Sequence, residues 1–461
     1  MLDIRQSNPG DWEYVSEGAA TIVFSYRGPP HADFSGTVLR LRKSPLLGSK
    51  PEGSIGVKNI GGRPEFDDPI IEYQAKFMQK LIPPEYLPTL RSVQLGNVWL
   101  ENLVALQNSV RPQDRIKASE IDLMRSRGVL ATDLVGGNYL AIEIKPKWAF
   151  LPSPVHLSQE TKPIKTQTCR FCMHSFVKVQ KGQKVATDYC PLDLFSGDES
   201  RMTKAISSLW NAWAASNGSI NNLKIFARGK VVKPSEAWRT LKDEVTAEDL
   251  DSIRRAFTVS LVRRLLATPI LSILSQLQRD LDSLDIEGLS KLWRTAETSL
   301  YRKAFVASSE NAISDSNSIS SEAIDIGSIS MGDLSISDWI DFLDTYTSRD
   351  KLNLDHANPA PEHLKYYAMA YLLSATFKDC SIFVKLDFLD PLHTHEAEGN
   401  FGCVTVVDLE PKNMKKISVW QELDQEIVHT YAVQATRRKV CMDAGQQGPY
   451  FRVSVSEPVL E

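Results

Sequence analysis

The hydrophobic periodicity changes about a third of the way along the chain, and that change limits the folds open to it. Up to about residue 133, short apolar runs alternate as strands do. Residues 20–26 and 37–41 are two such runs, separated by Gly28, Pro29 and Pro30. One helix interrupts them over 68–82, with Ile71, Ala75, Met78 and Ile82 at helical spacing and Pro83 and Pro84 to stop it. Beyond, strand patterning survives at 140–147, 382–388 and 404–409. Helical stripes run over 201–214, over 253–281 with an interruption at Pro269, and over 362–376. The expected architecture is α+β in two bodies: a β-rich part over 1–133, and a larger, mostly helical part over 134–461 with a strand pair near its end. Residues 308–338 are rich in Ser, Asp, Glu and Ile without aromatics, and read as a disordered insertion.

Charge and cysteine usage exclude several classes. Lys and Arg number 53 against 57 Asp and Glu, a net charge of −4. A general nucleic-acid binder would be basic, so none is expected as a partner. Residues 1–7 lack a charged-then-apolar signal, so secretion is not expected. No run approaches the roughly 18 apolar residues of a membrane span, so no membrane partner is expected. Cys169, Cys172, Cys190, Cys380, Cys403 and Cys441 are too sparse for a disulfide framework and read as reduced thiols of the nucleus or cytoplasm. Cys169 and Cys172 form a C-x-x-C, but no second such pair and no H-x-x-x-H accompanies it. On spacing alone, no structural zinc is expected.

Three stretches carry chemistry. In the string E-I-K-P-K-W from Glu143, strand alternation puts Glu143, Lys145 and Lys147 on one face. Neighbouring lysines repel unless an anion lies between them, which points to phosphate, although a solvated strand face has the same pattern. Near the end of the chain, a helix runs into Lys378-Asp379-Cys380-Ser381, and a strand pair ends at Asp408. Kinases use that order, one Asp accepting the substrate's hydroxyl proton and the next holding Mg²⁺. Aspartates are also ordinary turn residues. Gly18, Ala19, Ala20 and Thr21 join two strands with side chains small enough for close approach of a phosphate, and Arg40 sits on the following strand.

Six strings in order make the chain resemble the inositol-pentakisphosphate 2-kinase family: EIKPKWAFLP at 143–152, RFCMH at 170–174, PLDLFSG at 191–197, LDIEG at 284–288, KDCS at 378–381 and DLEPK at 408–412. The resemblance implies a two-lobed relative of protein kinases that uses ATP and Mg²⁺ to phosphorylate the axial 2-hydroxyl of inositol 1,3,4,5,6-pentakisphosphate. A monomer is expected. Gly18, Ala19, Ala20, Thr21, Arg40 and Lys224 would meet the ATP phosphates, with Glu143 and Thr132 or Asp133 near the adenine. Arg115, Lys145, Lys147, His174, Lys178, Asn221, Asn222, Lys412, Lys416 and Trp420 would bind the inositol phosphate. Asp379 would be the base, kept ionised by Lys378 and Lys412, with Arg40 assisting catalysis. Asp408, with Asp379 beside it, would hold the metal. Lys224 and Lys416 stand where arginine is expected, which keeps the charge but loses the bidentate fork. Trp420 stands where tyrosine is expected, and the zinc ligands of plant relatives have no match. The competing class is a silent binding scaffold for highly phosphorylated inositols. A protein kinase is not supported, since H-R-D and D-F-G are both missing.

Overall fold

The computed structural model describes residues 2–18, 20–46, 67–137, 139–242, 249–311, 334–348, 354–386 and 404–446. It is a mixed α+β chain with two sheets and many helices. The first sheet has seven strands. Its central strand, Thr37–Pro45, pairs with Thr21–Tyr26 on one side and with Arg127–Thr132 and Ser119–Ile121 on the other. The core under this sheet is aromatic: Trp12 packs edge-on against Tyr26, Phe34 and Trp99.

The second sheet is antiparallel, and its middle strand, Leu140–Ile144, lies between Leu223–Ala227 and Ser381–Leu386. Strand Val404–Val407 closes the edge beside Ser381–Leu386. Helices Glu199–Ala215, Leu250–Leu266, Ile270–Leu281 and Leu364–Asp379 pack against this sheet in one large apolar core. Residues Tyr73 to Leu87 bury into that second core, with Tyr73 and Phe77 against Trp339, although a boundary at 133 groups them with the first sheet.

Several expected elements differ in extent. The helix expected over 68–82 is Pro69–Lys76, capped by the Asp68 side chain and followed by a 3-10 turn at Met78–Lys80. Pro269 divides the 253–281 stripe into two helices, as a residue without an N–H must. The strand expected over 140–147 stops at Ile144, because Pro146 cannot donate to a ladder and Lys147 adopts a left-handed backbone, φ 69°. The helix expected to end at 376 continues to Asp379. The edges of the 308–338 insertion are helical, within Asp285–Asn311 and Ile336–Thr347; residues 312–333 lie outside the described residues, as does the loop at 390–402. No single described helix is long and apolar enough to cross a membrane.

Candidate active site

Strand register brings the two aspartates together. Ser381 pairs with Val407, so Asp379, at the end of its helix, and Asp408, just past its strand, lie side by side. Asp408 has a left-handed backbone, φ 63°, which turns the chain sharply away from the sheet. Ile144 pairs with Ile382, so the residues after Leu140–Ile144 run alongside both aspartates.

The lysines of the 143–148 string are the counter-ions of these carboxylates. Lys145 Nζ lies 3.0 Å from Asp408 Oδ2 and 3.9 Å from Glu143 Oε1. Lys147 Nζ donates to Asp379 Oδ1 at 2.9 Å, and Lys412 Nζ to Asp379 Oδ2 at 3.0 Å. Burial alone would raise Asp379's pKa. Lys147 and Lys412 outweigh it and pull the carboxyl down to about 2. Asp408 is lowered too, its burial outweighed by Lys145, Ser381 and Arg40. Lys378 was expected to help ionise Asp379, but it points away. Its ammonium is buried, paired with Asp282 and seated 4.0 Å from the centre of the Trp148 ring.

Sequence reasoning passed over three residues that hold this arrangement. Ser381 Oγ lies 2.9 Å from Asp408 Oδ2 and 3.0 Å from Glu143 Oε1, tying the three strands together. Gln278 is fully buried, and its side-chain amide takes three backbone groups: it donates to the Lys147 and Phe377 carbonyls at 3.1 Å and accepts from Ala149 N–H at 2.9 Å. It thereby fixes the Lys147 segment against the helix that ends at Asp379. Glu410, two residues beyond Asp408, reaches Arg40 on the first sheet at 3.0 Å. Ser381 and Glu410 both stand inside strings that carry the family resemblance, whereas Gln278 has no local signal at all.

The remaining expected residues stand in several different places. Asn222 donates to the Lys145 carbonyl at 3.2 Å, and Lys224 Nζ lies 3.1 Å from Glu143 Oε2. Glu143 is therefore buried beside the aspartates and Lys224, while Thr132 and Asp133 lie at the end of the first sheet. Asp133's carboxylate accepts from Ser25 and from the Val135 and Gly136 N–H groups, so it holds its own turn. His174 and Lys178 share a face of helix Arg170–Gln180. Burial, with Lys178 and Arg170 nearby, lowers His174 to about 4. Burial and the charges of Lys147 and Arg170 also lower Lys178. Asn221, Arg115 and Lys416 are exposed, and Arg115's nearest carboxylate is the adjacent Asp114 at 3.8 Å. Trp420, one turn beyond Lys416 on helix Lys416–Gln434, packs against Tyr371. Gly18 N–H donates to the Thr21 carbonyl in a tight hairpin, and Ala20 borders it; Ala19 lies outside the described residues.

The expectation of no zinc loses its basis in the fold. Cys169 and Cys172 open helix Arg170–Gln180, and Cys190 and Cys441 converge on them. All four Sγ atoms lie within 4.8 Å of one another, and all four residues are buried. Zn–S bonds of about 2.3 Å in a tetrahedron set the sulfurs about 3.8 Å apart, and Cys169 and Cys190 Sγ are 3.9 Å apart. Their mutual hydrogen bonds push Cys441 and Cys190 downward and, with burial, Cys169 and Cys172 upward, so without a metal the four sulfurs share protons among themselves. Lys439 stays charged despite its burial because Cys172, Cys190 and Cys441 surround it. Spacing alone missed this set because two ligands come from other parts of the chain, one of them 269 residues further on (441 − 172). A second acidic group, Asp285, Glu287 and Asp424, already encloses a cation: the buried Lys165 ammonium, 2.5 to 3.0 Å from each.

Two comparisons bear on this geometry. A family model described as inositol-pentakisphosphate 2-kinase matches residues 14–426. A Cryptococcus neoformans protein named inositol-pentakisphosphate 2-kinase is 32% identical over 436 residues, 91% of this chain and 93% of its own length. Enzymes of the same name from rice (Oryza sativa subsp. indica) and Arabidopsis thaliana are 27% and 24% identical, each over 93% of this chain and over 95% and 94% of their own lengths. A lysine cluster around two aspartates and a match along nearly the whole chain lead to one conclusion: the chain belongs to the inositol-pentakisphosphate 2-kinase family.

Proposed function

We propose that the protein transfers the γ-phosphoryl group of ATP to the axial 2-hydroxyl of inositol 1,3,4,5,6-pentakisphosphate, giving the hexakisphosphate, from a cleft between two kinase-like lobes. The observation that carries this reading is the pairing of Lys145, Lys147 and Lys412 with Asp408 and Asp379. A polyanionic substrate needs cations, and the same cations hold the two carboxylates ionised. A silent binding scaffold would gain nothing from carboxylates set among its phosphates. In this reading Lys147 and Lys412 turn to substrate phosphates when these arrive, which leaves Asp379 without its partners. Its basicity then rises at the moment it must accept the hydroxyl proton. Asp408 and Asp379 offer the hard oxygen donors that suit Mg²⁺, which when bound supplies charge neutralisation at the transferring phosphate. Arg40, Lys224 and the 18–21 hairpin suit the ATP phosphates. His174 and Lys178 add charge to the inositol phosphate side.

The buried Cys169, Cys172, Cys190 and Cys441 set is proposed as a structural zinc site, since four soft cysteine sulfurs within 4.8 Å of one another suit that ion. A reducing compartment, the nucleus or cytoplasm, suits thiols left free, and the unit is proposed to act as a monomer.

The test is direct. Incubation with ATP, Mg²⁺ and inositol pentakisphosphate, with separation of the products, should yield a sixth phosphate at the 2-position. Asp408→Asn should abolish turnover and leave inositol phosphate binding near wild type. Wild-type activity in that variant would remove Asp408 from the metal site. Metal analysis of the purified protein should find one zinc per chain, and its loss in Cys190→Ser would locate it.

A further inference from the structure

Arg40 and Arg42 are two apart on strand Thr37–Pro45, so both guanidinium groups stand on one face of the first sheet. Thr21, at the end of the small-residue hairpin, pairs across the strands with Arg42. Two arginines side by side repel unless carboxylates separate them. Asp68, which also caps helix Pro69–Lys76, takes Arg42 through two bonds of 2.6 and 2.7 Å. Glu410 takes Arg40 at 3.0 Å and approaches Arg42 at 3.7 Å. These residues and Thr21 line a small crevice between the first sheet and the loop after Val404–Val407. Glu410 is two residues beyond Asp408 on that loop, and Thr376 Oγ1 lies 3.5 Å from its carbonyl, tying the loop to the helix that ends at Asp379.

From this geometry we propose that Glu410 is a positioning residue for nucleotide use. Its carboxylate joins Arg40, on the nucleotide side, to the loop that carries the metal-binding Asp408, and so fixes the distance between the two. Asp68 anchors Arg42, so Arg42 steadies the bridge and leaves Arg40's remaining N–H donors directed at the phosphates. Protein kinases draw the carboxylate partner of the equivalent basic residue from a helix of the same lobe. Here it comes from the opposite side of the cleft, so closing the cleft and aiming Arg40 become one event. The role presupposes the kinase reading above, with ATP phosphates at Arg40.

Steady-state kinetics of the full chain, with ATP and inositol pentakisphosphate varied separately, test it. Glu410→Gln keeps the shape and removes the charge. It should raise KM for ATP about tenfold, the scale of one charge-assisted bond, and lower kcat. KM for inositol pentakisphosphate and Tm should stay at wild-type values. Glu410→Asp, which keeps the charge, should recover part of the loss. An unchanged or lowered KM for ATP in the Gln variant would overturn the proposal, making Glu410 a surface partner or a competitor of ATP. A rise in both KM values with a fall in Tm would overturn it too, in favour of a scaffold role. Inactivity of the wild-type chain would instead strike at the kinase reading itself.

Discussion

Asp379 is held by Lys147 and Lys412, so in the proposed reaction the lysines that would receive the substrate also guard the base. Asp379→Asn keeps the shape and cannot accept a proton. We expect kcat to fall by roughly a hundredfold or more, the scale of a lost general base. Affinity for inositol pentakisphosphate should hold or rise, because both lysines are released to the phosphates. Product separation and calorimetry on both proteins check this, and normal turnover would remove Asp379 from the chemistry. His174 supplies a pH signature. Its folded pKa, about 4, is below the ordinary 6.5 because burial and cationic neighbours disfavour the imidazolium. Between those values the unfolded chain binds more protons, so His174's contribution to stability is full above 6.5 and falls as pH drops towards 4. A bound polyphosphate reverses the local field and favours the imidazolium. Substrate binding near pH 6 should therefore take up more protons in the wild type than in His174→Asn, read as the dependence of binding heat on buffer ionisation. Equal uptake would place His174 away from the phosphates. These residues were legible in the sequence because a phosphate site requires cations and carboxylates in short strings. Their pairing was not: Lys378 adjoins Asp379 in sequence yet turns into the core, while Lys147 reaches Asp379 from 232 residues away.

Elements matter here through where they stop. Strand Leu140–Ile144 ends early enough to let Lys145 and Lys147 leave the sheet and meet separate aspartates, instead of sharing one face as unbroken alternation implies. The alternation from 140 to 147 signalled a strand and Pro146 limits it, but the left-handed Lys147 that turns the segment away has no compositional mark. What holds the departing segment is Gln278, on helix Ile270–Leu281. Replacing it with Ala leaves two carbonyls and one N–H in the core without partners. Unsatisfied buried groups carry a penalty of about 1–3 kcal/mol each, so Gln278→Ala should lose at least about 2 kcal/mol of stability. Because the freed backbone belongs to Lys147 and Phe377, kcat should fall further than KM for ATP rises. Denaturant titration with kinetics on the folded fraction separates the two effects. A destabilised variant with wild-type kcat would confine Gln278 to the core.

At the scale of the whole molecule, residues 439–443 are sewn to the start of helix Arg170–Gln180 and the segments beside it. After helix Lys416–Gln434, the segment returns along the second body. Lys439's carbonyl accepts from Thr168, Cys441 N–H donates to the Gln167 carbonyl, and Asp443 accepts from Leu151 N–H and Arg279. Cys441 then joins Cys169, Cys172 and Cys190 at the start of helix Arg170–Gln180, which bears Arg170, His174 and Lys178. Such a junction between distant segments gains most from a metal, because the unfolded chain has no preformed site and the binding free energy becomes folding free energy. Without a metal the four sulfurs cannot all be thiolates and must hold protons, since Lys439 alone cannot offset four charges. Removing zinc with a chelator should therefore lower Tm by several degrees and weaken inositol pentakisphosphate binding, since the helix start that orients His174 and Lys178 loses its anchor. Zinc should restore both and Mg²⁺ neither. Cys441→Ser should resemble the chelated wild type and respond little to further chelation. ATP affinity should change least, because Arg40 and the 18–21 hairpin belong to the other sheet. A zinc-free wild type with unaltered Tm and substrate affinity would reduce the cysteine cluster to apolar packing, whereas loss of both affinities together would mean that the strap stabilises the whole fold without favouring the substrate side.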